Sequence, residues 1–246
     1  MHRAATLRVM SYNVHRCVGC DGRLSPDRIA RVIARYEPDV VALQELDVGH
    51  ARTKYGDQPA LIADALKMHY HFHPAIEVAE ERYGDAVLSR YPLRLVRAAA
   101  LPAVAHRLWP ERRGALWVAV ECGGREVQVL NTHLGLSGRE RLAQADALLG
   151  KDWLGDPRCA APRLLCGDFN AWPGSPPYRR LCAALPAAQG RRGRRLNTFP
   201  SRWPLLRIDH VFHSPDLKVR EVQVPRTPLT RPASDHLPLI VEVALP

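Results

Sequence analysis

Short apolar runs that end in a carboxylate, an amide or an imidazole recur along this chain. The clearest is segment 163–170, Arg-Leu-Leu-Cys-Gly-Asp-Phe-Asn. Its apolar residues suffice for a buried strand, and Gly167 lets the backbone turn so that Asp168 and Asn170 project from the strand's end. A single ending of this kind also fits an ordinary turn, because Asp and Asn hydrogen-bond their own backbone. Its recurrence is what favours a functional site.

Five further segments have the same construction and are predicted to be strands or strand ends. They are residues 7–15, 40–45, 126–133, 208–212 and 234–243. The run 40–45 is a continuous β-branched stretch that predicts a strand buried on both faces. The polar residues that these segments bring to a common rim are Asn13, His15, Glu45, His133, Asp209, Asp235 and His236.

Helical patterns alternate with these strands. Ser25-Pro26 predicts a capped helix start, and amphipathic helices are predicted near residues 58–67, 138–149 and 178–185. Gly123-Gly124 is predicted to join strands 115–121 and 126–132 as a hairpin, which argues against a wholly parallel doubly wound sheet. The economical α/β (α+β) architecture is two mixed sheets packed on each other, with the helices outside and the polar termini at one rim.

Length and composition favour one domain covering residues 1–246. The chain is 46% hydrophobic, and it shows neither a linker nor an apolar run of the length that spans a membrane. The first ten residues lack the apolar block of a signal peptide, so we expect a cytoplasmic protein. Six cysteines in a chain of this length do not indicate a dense disulfide framework. The oligomeric state is left open.

The polar residues fall into two chemical groups. Glu45, Asp235 and Asn13 offer hard oxygen ligands, which suit Mg²⁺ or Mn²⁺ rather than zinc. Asp168, hydrogen-bonded by Asn170, is suited to orient and deprotonate a water.

His236 and Asp209 complete the second group. His236 is suited to stabilise a transferring phosphoryl group. Asp209 could hold the imidazole of His236 in one tautomer.

The segments that contain these residues resemble the endonuclease/exonuclease/phosphatase superfamily, in order and over essentially the whole chain. The matching blocks are Tyr12-Asn13-Val14-His15, Gln44-Glu45-Leu46-Asp47, Asn131-Thr132-His133-Leu134, Gly167-Asp168-Phe169-Asn170, Ile208-Asp209-His210-Val211 and Ser234-Asp235-His236-Leu237-Pro238. The resemblance implies a four-layer α/β/β/α sandwich of the DNase I type and metal-dependent cleavage of a phosphoester. It assigns Asn13, Glu45 and Asp235 to a metal side, and Asp168, Asn170, Asp209 and His236 to a hydrolytic side. His133 is then expected near the leaving group or the scissile phosphate, and whether Asp168 or His236 is the base stays open.

The substrate is a separate question, because a fold does not fix a function. The formal charge of +10 favours a polyanionic partner, and Arg112, Arg191 and Arg192 are candidates for binding substrate phosphates. Nucleic acid is one substrate class, and a phospholipid headgroup or small phosphorylated metabolite is the other. Nothing in the sequence resembles the inserted hydrophobic hairpin of secreted sphingomyelinases, which argues against membrane insertion. A non-catalytic phosphate-binding module is the remaining alternative.

Overall fold

The computed structural model describes residues 6–103, 112–190 and 196–246. In this part of the chain, strands form one six-stranded and one five-stranded sheet. The strands of the first sheet are β1 (Thr6–Asn13), β2 (Val40–Val48), β3 (His69–Val78), β4 (Glu81–Ser89), β10 (Lys218–Gln223) and β11 (Leu239–Ala244). Those of the second are β5 (Leu93–Ala100), β6 (Gly114–Cys122), β7 (Arg125–His133), β8 (Arg163–Asp168) and β9 (Asp209–His213).

Both sheets are mixed, as the sequence predicts. The first has the strand order β10-β11-β1-β2-β4-β3 and the second β5-β6-β7-β8-β9. Each contains one parallel pair, β1 with β2 and β7 with β8, among antiparallel neighbours. The parallel strands therefore end at one rim, where β9 and the loop before β11 also begin.

Four helices cover the outer faces of the two sheets in the described part of the chain. They are α1 (Pro26–Tyr36), α2 (Gln58–Leu66), α3 (Gly138–Leu149) and α4 (Pro176–Ala184). The predicted cap of α1 is present, because the Ser25 hydroxyl accepts a hydrogen bond from the Arg28 N–H over 3.1 Å. None of these helices combines the length and the apolar character needed to span a bilayer.

Alternation along the strands builds three apolar layers between these elements. In β1, Val9 packs in the layer between the sheets, whereas Met10 packs in the layer that contains the buried residues of α1 and α2. In β6, Val118 faces the first sheet and Trp117 packs with residues of α3 and α4. Since successive side chains point to opposite faces, both faces of each sheet are covered. The predicted four-layer α/β/β/α sandwich is confirmed.

Some elements differ from the sequence prediction. Strands β5 and β10 were not predicted, because each is the half-solvated outer strand of its sheet and lacks a continuous apolar run. The first strand ends at Asn13, and His15 lies in a short 3-10 helix. The last strand begins at Leu239, so Asp235 and His236 lie in the loop before it rather than on the strand.

Candidate active site

The predicted metal side of the rim lies where β1 and β2 end. Asn13 is paired with Gln44 in the parallel register, and the next residue, Glu45, lies at a β-bulge with a φ of 61°. A positive φ is uncommon for a non-glycine residue and is frequent at functional sites. The Asn13 Nδ2 donates to Glu45 Oε1 over 2.8 Å, which fixes the carboxylate beside the strand end.

Most residues of the predicted hydrolytic side lie on the second sheet, and His236 joins them from the loop before β11 of the first sheet. The register of β7, β8 and β9 places His133 beside Asp168 and Asp168 beside Asp209. Gly167 makes this possible, because a Cβ at this position would lie only 1.9 Å from the Thr132 carbonyl oxygen, and its φ of 152° disfavours other residues. The glycine therefore sets how closely β8 approaches β7 beneath the site.

Asp168 connects the two sides. Its Oδ1 accepts from the Asn170 backbone N–H over 2.9 Å, and its Oδ2 accepts from Asn13 Nδ2 over 3.0 Å. Burial raises the pKa of this carboxyl, and the neighbouring His236 opposes that rise. The Asn170 side chain bonds elsewhere, since its Nδ2 donates to the Leu134 carbonyl over 2.9 Å and lies 3.2 Å from His133 Nε2. Asn170 thus holds Asp168 through its backbone rather than through its amide.

His236 lies between two carboxylates. Its Nδ1 donates to Asp209 Oδ2 over 2.9 Å, and its Nε2 is 3.5 Å from Asp168 Oδ2. The Thr198 hydroxyl donates to the same Asp209 oxygen. Burial alone would lower the pKa of His236, but Asp209 and Asp168 together raise it to about 10. The site therefore favours an oriented imidazolium at this position.

His133 has the opposite electrostatic environment. Arg113 is buried and its Nη1 lies 2.8 Å from His133 Nδ1. A guanidinium can only donate, so Nδ1 must accept and the proton of the neutral ring belongs on Nε2. Burial lowers the pKa of His133 well below its ordinary value, and Arg113 and His236 lower it further. Both effects favour a neutral His133, whose Nε2 faces the site, 3.2 Å from Asn170 Nδ2 and 3.6 Å from Asp168 Oδ2.

A cavity of about 780 Å³ opens between the two sides. Seven of the predicted rim residues line it directly, namely His15, Glu45, His133, Asp168, Asn170, Asp235 and His236. The other two, Asn13 and Asp209, lie behind Glu45 and His236 as their hydrogen-bond partners. The structure thus brings the eight predicted catalytic and metal residues together.

Of the three arginines predicted to bind substrate phosphates, the structure describes only Arg112. Arg112 is exposed and does not line the cavity, whereas its neighbour Arg113 does. Arg191 and Arg192 lie outside the described residues.

Arg16 and Arg52, which the sequence analysis did not single out, also line the cavity. Arg52 is engaged by Asp47 through two hydrogen bonds of 2.8 and 2.7 Å. Arg16 lies in a run of three positive-φ residues, His15 to Cys17, and its Nη2 is 2.6 Å from His15 Nε2. Arg16 could have been identified in the sequence from its position directly after the block Asn13-Val14-His15.

Two sets of side chains offer ligand atoms for a divalent cation. Asp168, Asp209 and His236 each place a ligand atom within 4.8 Å of the others, but these atoms are buried and bonded to one another. Glu45 and Asp235 are instead half-buried carboxylates at the cavity, and they have the oxygen chemistry that Mg²⁺ and Mn²⁺ prefer. The metal side is therefore the better fit for a resident cation.

A polar pair behind the cavity links the two sheets. Gln44 Nε2 on β2 donates to Asn131 Oδ1 on β7 over 2.7 Å. Asn131 Nδ2 in turn donates to the carbonyls of Leu43 and Ala86, each over 2.8 Å. Both side chains are fully buried, and each is followed within two residues by a residue of the site, Glu45 or His133.

Comparison with known proteins places this chain in a family. The chain is 26% identical to the uncharacterized protein YbhP of Escherichia coli (strain K12), over 98% of this chain and 97% of that protein. Among solved structures, it resembles an endonuclease/exonuclease/phosphatase from Beutenbergia cavernae DSM 12333, with 26% identity, a TM-score of 0.75 and coverage of 99% of this chain and 72% of that one. It also resembles the human Nocturnin catalytic domain with bound sulfate, with 25% identity, a TM-score of 0.72 and coverage of 98% and 95%.

The sequence model of the Endonuclease/Exonuclease/phosphatase family matches residues 10–236, a span that contains every predicted catalytic and metal residue. Members of this family are generally hydrolases that act on phosphoester bonds. The resemblance seen in the six sequence blocks is confirmed, and the chain belongs to the endonuclease/exonuclease/phosphatase family.

Proposed function

We propose that this protein is a hydrolase that cleaves phosphodiester bonds with the help of Mg²⁺ or Mn²⁺. One observation carries the proposal: the Asp168 carboxylate contacts both sides of the site. Its Oδ2 is 3.0 Å from Asn13 Nδ2, which also holds Glu45, and 3.5 Å from His236 Nε2. A base, a cation-binding carboxylate and a positively charged imidazole thus face one cavity.

Asp168 is assigned the role of orienting the attacking water and accepting its proton. The hydrogen bonds from Asn170 N–H and Asn13 Nδ2 hold its two oxygens in place. The proximity of His236, whose charged form Asp209 stabilises, supports an ionised Asp168 in spite of its burial. This favours Asp168 over His236 as the base, the choice that the sequence leaves open.

The two histidines take complementary roles at the phosphate. His236 stabilises the negative charge on the transferring phosphoryl oxygens, and Asp209 keeps its Nε2 directed into the cavity. His133 donates through Nε2 to the phosphate or the leaving oxygen, because Arg113 occupies its Nδ1. Removal of Arg113 would free that nitrogen and allow the other tautomer.

Glu45 and Asp235 would hold the cation, with Asn13 orienting Glu45 or supplying its own oxygen. When bound there, a divalent cation would polarise a phosphoryl oxygen and stabilise charge on the leaving oxygen. Asn13 Oδ1 accepts from the His15 backbone N–H over 3.1 Å, which keeps the amide oriented.

A phosphoryl substrate is supported by the sulfate bound in the Nocturnin catalytic domain, because sulfate is a tetrahedral oxyanion similar to phosphate. Two substrate classes follow from the site, nucleic acid and a phospholipid headgroup or small phosphorylated metabolite. If the substrate is nucleic acid, binding should weaken steeply with salt, since phosphate contacts release counterions. A small headgroup predicts a shallow salt dependence.

The test is hydrolysis of bis(p-nitrophenyl) phosphate by the metal-loaded protein. We expect turnover that a chelator abolishes and that Asp168→Asn removes. Asp152→Asn is the matched control, because Asp152 is an exposed carboxylate that does not line the cavity. Turnover by Asp168→Asn at the wild-type rate, or wild-type turnover that the chelator does not reduce, would contradict the proposal.

A further inference from the structure

Exposed apolar side chains surround the opening of the active-site cavity. Leu136, Trp172 and Leu206 line the cavity and are 55%, 54% and 44% exposed. Trp203 and Leu205, each 74% exposed, lie on the turn that leads into Leu206. We call these five residues the mouth patch. Among the described residues, both exposed tryptophans belong to it.

The turn that presents Trp203 and Leu205 is held firmly. The N–H groups of Leu205 and Leu206 donate to the Phe199 carbonyl over 2.9 and 2.7 Å. Ser201, which is fully buried, donates through its hydroxyl to the Ser234 carbonyl over 2.7 Å. The turn is thus fastened to the loop that carries Asp235 and His236. An ordered apolar surface that stays exposed to water indicates an interaction site.

Cationic side chains border the mouth patch. Arg202 lies on the same turn and Arg139 follows Leu136 by three residues, and both are exposed. Neither forms an ion pair with any residue of the described part of the chain. Arg16 adds a further cation at the cavity, and the whole chain has a formal charge of +10. An apolar centre with a cationic border complements an anionic lipid surface, where the side chains reach the acyl boundary and the arginines meet phosphates.

We propose that the mouth patch docks on the anionic surface of a phospholipid bilayer, so that the active-site cavity opens toward the lipid phosphates. Trp203 and Trp172 have the amphipathic ring that is enriched at membrane interfaces. Leu136, Leu205 and Leu206 offer no stacking surface for nucleic-acid bases, which makes a lipid surface the better fit. The patch is assembled from three separate segments, so it does not form one apolar run in the sequence.

The docking proposal rests on the proposed function, because it names the physical form of the substrate. Binding is nevertheless measured without turnover. Wild-type protein is sedimented with vesicles of phosphatidylcholine alone, or of phosphatidylcholine and phosphatidylglycerol in equal parts, and the tryptophan emission is recorded. We expect binding to the mixed vesicles with a blue shift of the emission, and weak binding to phosphatidylcholine alone.

The decisive variant is Trp203→Ser with Leu205→Ser. We expect its affinity for the mixed vesicles to fall by about tenfold or more, because both side chains lose apolar contact with the bilayer. The matched control is Leu61→Ser with Leu95→Ser, two side chains that are 51% and 45% exposed and do not line the cavity. The control should bind as wild type. Hydrolysis of bis(p-nitrophenyl) phosphate by either variant should be unchanged, which shows that both are folded.

Three results would overturn docking. They are equal vesicle affinity of the decisive variant and wild type, absence of wild-type binding to the mixed vesicles, and loss of single-stranded DNA binding rather than vesicle binding in the decisive variant. If wild type hydrolyses the soluble diester and ignores vesicles, docking fails and the proposed function stands. If it binds vesicles through the mouth patch and hydrolyses no phosphoester, docking stands and the proposed function fails.

Discussion

The two sides of the site differ in the burial and the hydrogen bonding of their charged side chains. On the metal side, Glu45 and Asp235 are half-buried and have carboxylate oxygens available to the cavity. On the hydrolytic side, Asp168, Asp209 and His236 are buried, and the His236 ring lies between the two carboxylates. The first arrangement keeps ligand positions open, whereas the second fixes charge and orientation before any substrate arrives. Preorganised charge of this second kind is what stabilises a transition state most effectively.

The largest expected effect comes from breaking the hydrolytic side. Asp168→Asn keeps the shape of the side chain and removes its charge and basicity, so kcat/KM for bis(p-nitrophenyl) phosphate should fall by about 10³- to 10⁴-fold. Steady-state kinetics at saturating Mg²⁺ measure it. Added metal should not restore the activity, and a loss smaller than tenfold would assign the base to another residue.

Breaking the metal side should have a smaller effect that depends on metal concentration. Glu45→Gln removes a charged ligand but retains Asp235 and Asn13, so kcat/KM at low Mg²⁺ should fall by about 100-fold. Raising the metal concentration should recover part of the loss, which activity measured across a Mg²⁺ titration will show. Identical metal dependence in Glu45→Gln and wild type would remove Glu45 from the metal side.

Burial should make the second sheet beneath the hydrolytic side sensitive to acid. His210 is fully buried, its Nε2 lies 2.8 Å from the Ala171 carbonyl, and burial lowers its pKa from 6.5 to about 4. Between these pH values His210 binds a proton in the unfolded chain but not in the folded chain, so its own contribution to the free energy of unfolding should fall with falling pH. The loss is about 3 kcal/mol in total, and it is absent above pH 6.5, where both states are neutral.

Denaturant unfolding at a series of pH values measures this loss. His210→Gln keeps a polar side chain without the titrating ring, and it should flatten the dependence between pH 6.5 and about 4. An unchanged slope in the variant would assign the acid sensitivity to other groups.

The smallest expected effect is a change in KM that distinguishes Arg16 from Arg112. Arg16→Gln removes a cavity cation that His15 orients, so KM should rise by about tenfold with little change in kcat. Arg112→Gln is the matched control, because Arg112 is exposed away from the cavity and its loss should change KM by less than about twofold. Both values come from the same diester assay, and a larger effect for Arg112 would support the sequence-based assignment instead.

The sequence predicts the two-sheet sandwich and the rim residues because buried strands and their polar ends leave a local signature. Glu45 and Asp168 follow directly from such runs. The choice between Arg112 and Arg113 does not, since it depends on how the chain enters β6 beside His133. The role of Asn170 likewise depends on a backbone N–H, which residue type does not reveal.

The buried pair of Gln44 and Asn131 has a mechanical consequence. Apolar layers tolerate small sliding movements, whereas the directional hydrogen bonds of these two amides restrict the offset between the sheets. The pair therefore fixes the spacing between Glu45 on the first sheet and His133 on the second. A shift of one sheet against the other would change the distance between Glu45 and His133 and so the room for a phosphate between them.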